Sequence, residues 1–306
     1  MDALRTERLA RACLSLEGLS VGDAFGERYV TGYADEIIAA RRLASPPWHY
    51  MDDTEMALSI VAVLRQAEEM DQDCLALSFA RRYDMRRGYG PAMHGILPRM
   101  ALPGAWPTLA GGLFGGQGSF GNGAAMRVAP LGAYFADDLE TVAAQAYASA
   151  VVTHAHPEAA AGAVAVAVAA AYAWRLWDVR PLPTRQEFLD LILPHVPDGV
   201  VREKIRHARD LSPSASVILA MSALGNGSQI SAQDTVPFVL WCAGQHSDSY
   251  GEALWLTVSG LGDRDTTCAM VGGIVALSAG MESIPEAWWA AREPLPLWPV
   301  QETSEI

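Results

Sequence analysis

The sequence predicts a single all-α domain across residues 1–306, on three observations. Apolar residues recur at the helical period along most of the chain. No alternating run bounded by turn residues reads as a strand. Hydrophobic residues make up 51% of the 306 and charged residues 19%, enough to bury a large core. No shift in composition marks a linker, and no repeat is visible. The Pro-rich segment after Glu293 is expected to pack loosely.

Taken in order, residues 4–19 are amphipathic. Residues 55–70 carry Met56, Leu58, Ile60, Val61 and Leu64 on one broad apolar face, and 75–85 follow with the same period. From Gly88 to Gly123 eleven glycines accumulate, which argues against regular helix and predicts a long functional loop region. Helices are predicted again over 139–153, 157–177, 184–193, 200–211, 214–224, 236–246, 250–259 and 266–280. Residues 159–174 hold no charged side chain and are mostly Ala. Sixteen residues fall short of the roughly 20 that span a bilayer, so the run is read as a buried helix packed through small side chains.

Twenty-two basic against 35 acidic residues leave a net charge of −13. A surface so acidic repels a phosphate backbone, so nucleic acid is not an expected partner, and no polybasic run suggests a membrane surface. The cysteines, Cys13, Cys74, Cys242 and Cys268, form no CxxC pair and no disulfide framework. Together with an N-terminus lacking a secretory pattern, they lead us to expect a cytoplasmic protein.

Two acidic clusters carry the chemistry. Asp52-Asp53-Thr54 precedes the second predicted helix, and Asp263-Arg264-Asp265-Thr266 precedes the last. Asp and Thr are favoured N-caps, so capping alone is one reading of each. A cap needs one such side chain, however, and each start has two carboxylates and a hydroxyl. If the two starts converge, four carboxylates share one place and require raised pKa values or bound cations. Oxygen-only ligands suit Mg²⁺ or Mn²⁺. Arg264 is expected to point away from its neighbours. A second signal is the run from Gly118 to Arg127, whose small residues allow close backbone approach and an anion-binding nest, although no Walker lysine follows.

These residues resemble the ADP-ribosylglycohydrolases. The resemblance runs from end to end of the chain: Gly22-Asp23-Ala24-Phe25-Gly26, Asp52-Asp53-Thr54, Gly121-Asn122-Gly123-Ala124-Ala125-Met126-Arg127, Thr153-His154 with Pro157-Glu158-Ala159, and Gly262-Asp263-Arg264-Asp265-Thr266. It implies a compact orthogonal multi-helix bundle and hydrolysis of the glycosidic bond between ADP-ribose and a protein side chain. Up to two Mg²⁺ or Mn²⁺ ions would lie on Asp52, Asp53, Asp263, Asp265 and Thr266. By the same resemblance, Asp53, Asp52 and Glu27 are candidate catalytic residues. Tyr89, Gly90, Ser119, Phe120, Gly121, Asn122, Gly123, Met126 and His154 are candidate contacts to an ADP-ribosylated protein or an ADP-ribose-containing small molecule. Gly22-Asp23 is assigned to helix packing near the site.

The chain departs from the family at two places. Met51 stands where the family usually has Thr or Ser as a further ligand, and its thioether is a poor Mg²⁺ ligand, so one of the two metal sites is expected to be weakened. Val30 stands where the family often has Glu, with Glu27 nearby. The alternative reading is therefore a member that binds ADP-ribose, or a protein bearing it, without efficient turnover.

Overall fold

The computed structural model describes residues 3–30 and 34–297, and these form helices, tight 3-10 turns and loops, with no β-strand among the described residues. The α-helices are α1 (Ala3–Glu27), α2 (Ala34–Ala39), α3 (Asp52–Ala67), α4 (Gln72–Arg82), α5 (Pro91–Ile96), α6 (Trp106–Gly111), α7 (Leu113–Gly116), α8 (Ala129–Tyr134) and α9 (Leu139–Val151). They continue with α10 (Pro157–Arg175), α11 (Arg185–Ile192), α12 (Val200–Asp210), α13 (Val217–Leu224), α14 (Ala232–Gln245), α15 (Tyr250–Val258), α16 (Arg264–Ala279) and α17 (Glu286–Ala291). The all-α reading holds.

The contact that positions the site is between α1 and α16. Gly18, Gly22 and Gly26 recur every four residues and so share one face of α1. A Cβ at Gly22 would stand 2.2 Å from the Cys268 carbonyl oxygen, and one at Gly26 would stand 2.2 Å from that of Arg264. Backbone therefore touches backbone, and because Gly18 meets Gly272 while Gly26 meets Arg264, the helices run antiparallel. The C-terminal end of α1, with Asp23 and Glu27, is thereby laid against the N-terminal end of α16.

The Ala-rich run is the core helix α10, packed among α8, α9, α14 and α16. Its 19 residues are long and apolar enough to cross a bilayer by composition, but 78% of the apolar window is buried within the fold. Small side chains allow the crowding: a Cβ on Gly132 of α8 would lie 2.0 Å from the Ala167 carbonyl.

The structure corrects the glycine-rich stretch. Residues 88–123 are not one long loop but include α5, α6, α7 and a 3-10 turn at Leu97–Ala101. Pro91, Pro98 and Pro107 each start a short helical piece at its first or second residue, where the missing N–H costs nothing, and the glycines fall both between the pieces and within them. Several boundaries also move. α1 runs on through the glycine motif to Glu27, and α14 begins at Ala232 and carries Pro237 inside its first turns. The short helices α2, α8 and α17 were not anticipated.

Near the C-terminus, residues 291–293 pair with Trp48: Trp48 N donates to the Ala291 carbonyl at 2.7 Å, and Glu293 N to that of Trp48 at 2.9 Å. Leu295 packs on the core. The rest of the segment expected to be loose, from residue 298, lies outside the described residues.

Candidate active site

Neither acidic cluster caps its helix. Met51, at the N-cap of α3, and Asp263, at that of α16, make no side-chain capping bond. Asp23, projecting from the buried face of α1, serves the start of α3 instead. Its carboxylate accepts from Met51 N at 2.9 and 3.0 Å, from Thr54 N at 3.0 Å and from the Thr54 hydroxyl at 2.5 Å. With Asp23 meeting the orphan N–H groups, Asp52 and Asp53 are released from that duty. Asp53 is fully buried, and neither of its carboxylate oxygens has a hydrogen-bond partner. A sealed, unpartnered carboxylate costs several kcal/mol unless a proton or a cation joins it.

The two clusters, about 210 residues apart in the chain, do meet. Asp52 from α3 and Asp263, Asp265 and Thr266 from α16 line one cleft of about 530 Å³. The electrostatics record the crowding. Burial first, and then the neighbouring Asp265, hold the Asp263 carboxyl up at about 8, although hydrogen bonds from Asn122 and Thr266 pull the other way. Asp23 is likewise raised to about 8 by burial, with the Thr54 bond opposing and Asp265 adding to the rise. Asp52 and Asp53 are pushed well above the usual carboxylate range by burial and by the surrounding aspartates. Glu27 is raised too, by burial and then by Asp265, which places it beside the same group.

This donor set suits a hard divalent cation: oxygen atoms only, mostly anionic, with the Asp53 oxygens awaiting a partner. Among the described residues no three His, Cys, Asp or Glu side chains close on one point. Mg²⁺ completes its octahedron with water rather than requiring a closed protein cage. Arg264 turns elsewhere, its guanidinium donating to the Tyr29 carbonyl.

The opposite wall is the glycine loop. Ser119, Phe120, Gly121, Asn122, Gly123, Met126 and His154 all line the cleft, as do Gly88 and Gly90. The loop lies directly on the His154 ring: a Cβ on Gly123 would stand 2.8 Å from Cε1, and one on Gly121 3.2 Å from Nε2. Burial and then Arg127 depress the His154 imidazole to about 3, so it is neutral, with Nδ1 paired to the Thr153 hydroxyl at 2.7 Å. Five N–H groups of the run are already committed within the fold: Gly118 to the Leu113 carbonyl, Gly121 to the Ser119 hydroxyl, Asn122 to the Ile230 carbonyl, and Ala125 and Met126 to the Asn122 carbonyl. The nest that the glycines predict is narrower by those five. The Asn122 amide donates to Asp263 Oδ2 at 2.7 Å, so this residue ties the loop to the acidic wall.

Three expected positions lie off the cleft surface. Tyr89 turns its ring into Tyr83, 5.1 Å between centroids, and is buried. Asp53 is fully buried and Glu27 half-buried, within reach of the Asp265 charge, and neither lines the cleft. Met51 directs its thioether at the Gly88 turn, where a Cβ would fall 2.7 Å from its methyl, and Val30 is exposed. Sequence reasoning missed the role of Asp23. The signal was present, since an aspartate inside an apolar helix is rarely left buried without partners. It also missed Arg127, which is wholly buried over the Phe79 ring and donates to the Ser149 carbonyl at 2.9 Å.

Fold and cleft together define an all-α enzyme whose acidic helix entrances face a glycine-rich loop. The ADP-ribosylglycohydrolase family model matches residues 4–303, and the chain belongs to that family, a class of hydrolases acting on ADP-ribose glycosidic bonds. It is 29% identical to ADP-ribosylhydrolase ARH3 of Homo sapiens over 274 residues, covering 78% of this chain and 73% of the relative. It is 32% identical to an uncharacterized protein of Archaeoglobus fulgidus, covering 89% and 88%. Among solved structures it is similar to an ADP-ribosylglycohydrolase-related protein complex, with a TM-score of 0.61 and 25% identity over 96% of this chain and 94% of the other.

Proposed function

We propose that this chain is a divalent-metal-dependent hydrolase that releases ADP-ribose from a modified protein side chain. The observation that carries the reading is the Asp53 carboxylate, sealed and unpartnered, behind a cleft that has aspartates on one wall and a glycine loop on the other. Asp52, Asp53, Asp263, Asp265 and Thr266 would hold up to two Mg²⁺ or Mn²⁺ ions. When bound, such ions neutralise the carboxylates, orient ribose hydroxyls and lower the pKa of water.

The side chains divide the remaining work. Asp53, whose buried oxygens have no protein partner, suits a ligand role. Asp52, which faces the cleft, orients the attacking water and accepts its proton. The loop from Ser119 to Gly123 lets the sugar and diphosphate approach the backbone, and the exposed Phe120 offers a face to a sugar or base. His154, neutral and pinned by Thr153, supports the loop and stays available to donate or accept a hydrogen bond without adding charge. Asn122 couples loop position to Asp263, so substrate seating and the acidic wall move together.

The test is a panel of arginine- and serine-linked ADP-ribosylated proteins with added Mg²⁺ or Mn²⁺ and with EDTA. Wild type releases ADP-ribose from one of them only with metal, and Asp52→Asn and Asp265→Asn lose that release. Turnover unaffected by EDTA, or by both substitutions, overturns the proposal.

A further inference from the structure

In a chain of net charge −13, residues 85–136 contain no Asp or Glu. At the chain's average density a stretch of that length would hold about six acids. It carries Arg86, Arg87, Arg99, Arg127 and His94 instead. The stretch builds one side of the cleft through Gly88, Gly90, Met93, Phe114 and the glycine loop. An anionic ligand accounts for the inner part of this wall. It does not account for the outer part, which does not line the cleft.

That outer part has the make-up of a docking face. Met85 is 72% exposed and Leu102 67%, with Phe114 at 60% on the cleft mouth. Arg86, next to Met85, and Arg99, three residues before Leu102, are exposed as well. Arg86 is held by Asp84 at 2.7 Å and Arg87 by Glu293, whereas Arg99 has no carboxylate partner among the described residues. The pieces form one lobe: the turn at 97–101 packs on α4 and α5, and α6 joins it to α7. Two acids stand at its edge, Asp84 on Arg86 and Asp73, which accepts from the Trp106 indole at 2.8 Å; the Met, aromatic and Arg side chains between them are the kinds that interfaces favour.

We propose that this lobe docks the protein part of the substrate, and that it selects modified side chains flanked by acidic and apolar residues. The inference rests on the proposed hydrolase reading. Two observations fix the occupant. The lobe is continuous with the cleft, so whatever carries the ADP-ribose must lie beside the mouth. It is also the one long stretch of this acidic chain without acids, so it attracts the negative charge that the remainder repels.

Three probes test it: a peptide with one ADP-ribosylated residue flanked by Glu-Leu repeats, its twin flanked by Lys-Leu repeats, and the ADP-ribosylated amino acid alone. Wild type should turn over the Glu-flanked peptide with the higher kcat/KM, and the advantage should shrink with added salt. Arg99→Glu together with Leu102→Ser should lower kcat/KM on the Glu-flanked peptide by about fivefold while leaving the ADP-ribosylated amino acid unchanged. Equal kcat/KM on both peptides, or an equal loss on all three probes, overturns the docking proposal. Wild type releasing ADP-ribose from none of the three refutes instead the hydrolase reading beneath it.

Discussion

Removing divalent cations and raising the pH should weaken this protein in a way that ordinary surface carboxylates do not. Asp23 and Asp263 hold their protons up to about 8, against an ordinary value near 3.8. Between those values the folded state keeps a proton that the unfolded chain has lost. Stability contributed by such a group is therefore complete at low pH and is lost as pH rises toward 8. Each retained proton costs about 1.4 kcal/mol per pH unit, so one group removes about 3 kcal/mol between pH 5.5 and 7.5. In a chain of this size that is a fall in Tm of about 6 °C. Calorimetry in EDTA at the two pH values measures it. At one hundred times its Kd, Mg²⁺ should restore about 2.7 kcal/mol at pH 7.5 and less at 5.5, where protons compete for the same carboxylates. Asp53→Asn, which keeps the shape and breaks no hydrogen bond, should flatten the Mg²⁺ response while the fall with pH that Asp23 and Asp263 cause remains. A metal-free Tm that does not fall with pH, or equal Mg²⁺ protection of wild type and Asp53→Asn, would refute the reasoning.

Four further outcomes follow from the same contacts. Asp23→Ala strands the Met51 and Thr54 N–H groups in a buried place and should cost about 2–4 kcal/mol in urea unfolding, with ADP-ribose release falling in parallel; undiminished activity would show that Asp23 does not hold the α3 entrance. Gly22→Val forces α1 off α16, because even a Cβ meets the Cys268 carbonyl at 2.2 Å, and it should destabilise by about 3 kcal/mol or more. Gly123→Ala presses the His154 ring and should raise KM more than it lowers kcat, which steady-state kinetics reads directly. His154, held at about 3, should show no imidazole titration by NMR between pH 5 and 8. Because its folded value is depressed, it should add stability as pH rises toward 6.5, a slope that His154→Gln should lack.

What could be read from the sequence depended on whether a signal was local. The all-α class and the long helices were legible because their periodicity is repeated over many turns, and the buried α10 was legible from its small side chains. The acidic pairs were legible because one cap does not need two carboxylates. The short helices α5 and α6 were hidden by glycine content, since Pro-started turns of six residues leave no periodic trace. That Asp23 needs buried partners was legible, but which ones was hidden for a different reason. Its partners, Met51 and Thr54, belong to another helix, and only the glycine-mediated approach of α1 to α16 shows that Asp23 stands beside the metal-ligand candidates. Tyr89 was a candidate contact by resemblance, and its neighbours Gly88 and Gly90 do line the cleft, yet its own ring points inward, a choice of rotamer that sequence spacing does not encode.

The measurement that bears most directly on the whole account is an electron paramagnetic resonance titration with Mn²⁺ on the intact protein. Wild type should remove the free aqueous Mn²⁺ signal up to two equivalents, and Asp53→Asn with Asp265→Asn should leave it in solution from the first addition. The same titration curve for both proteins would contradict the claim that the α3 and α16 entrances together bind the cation.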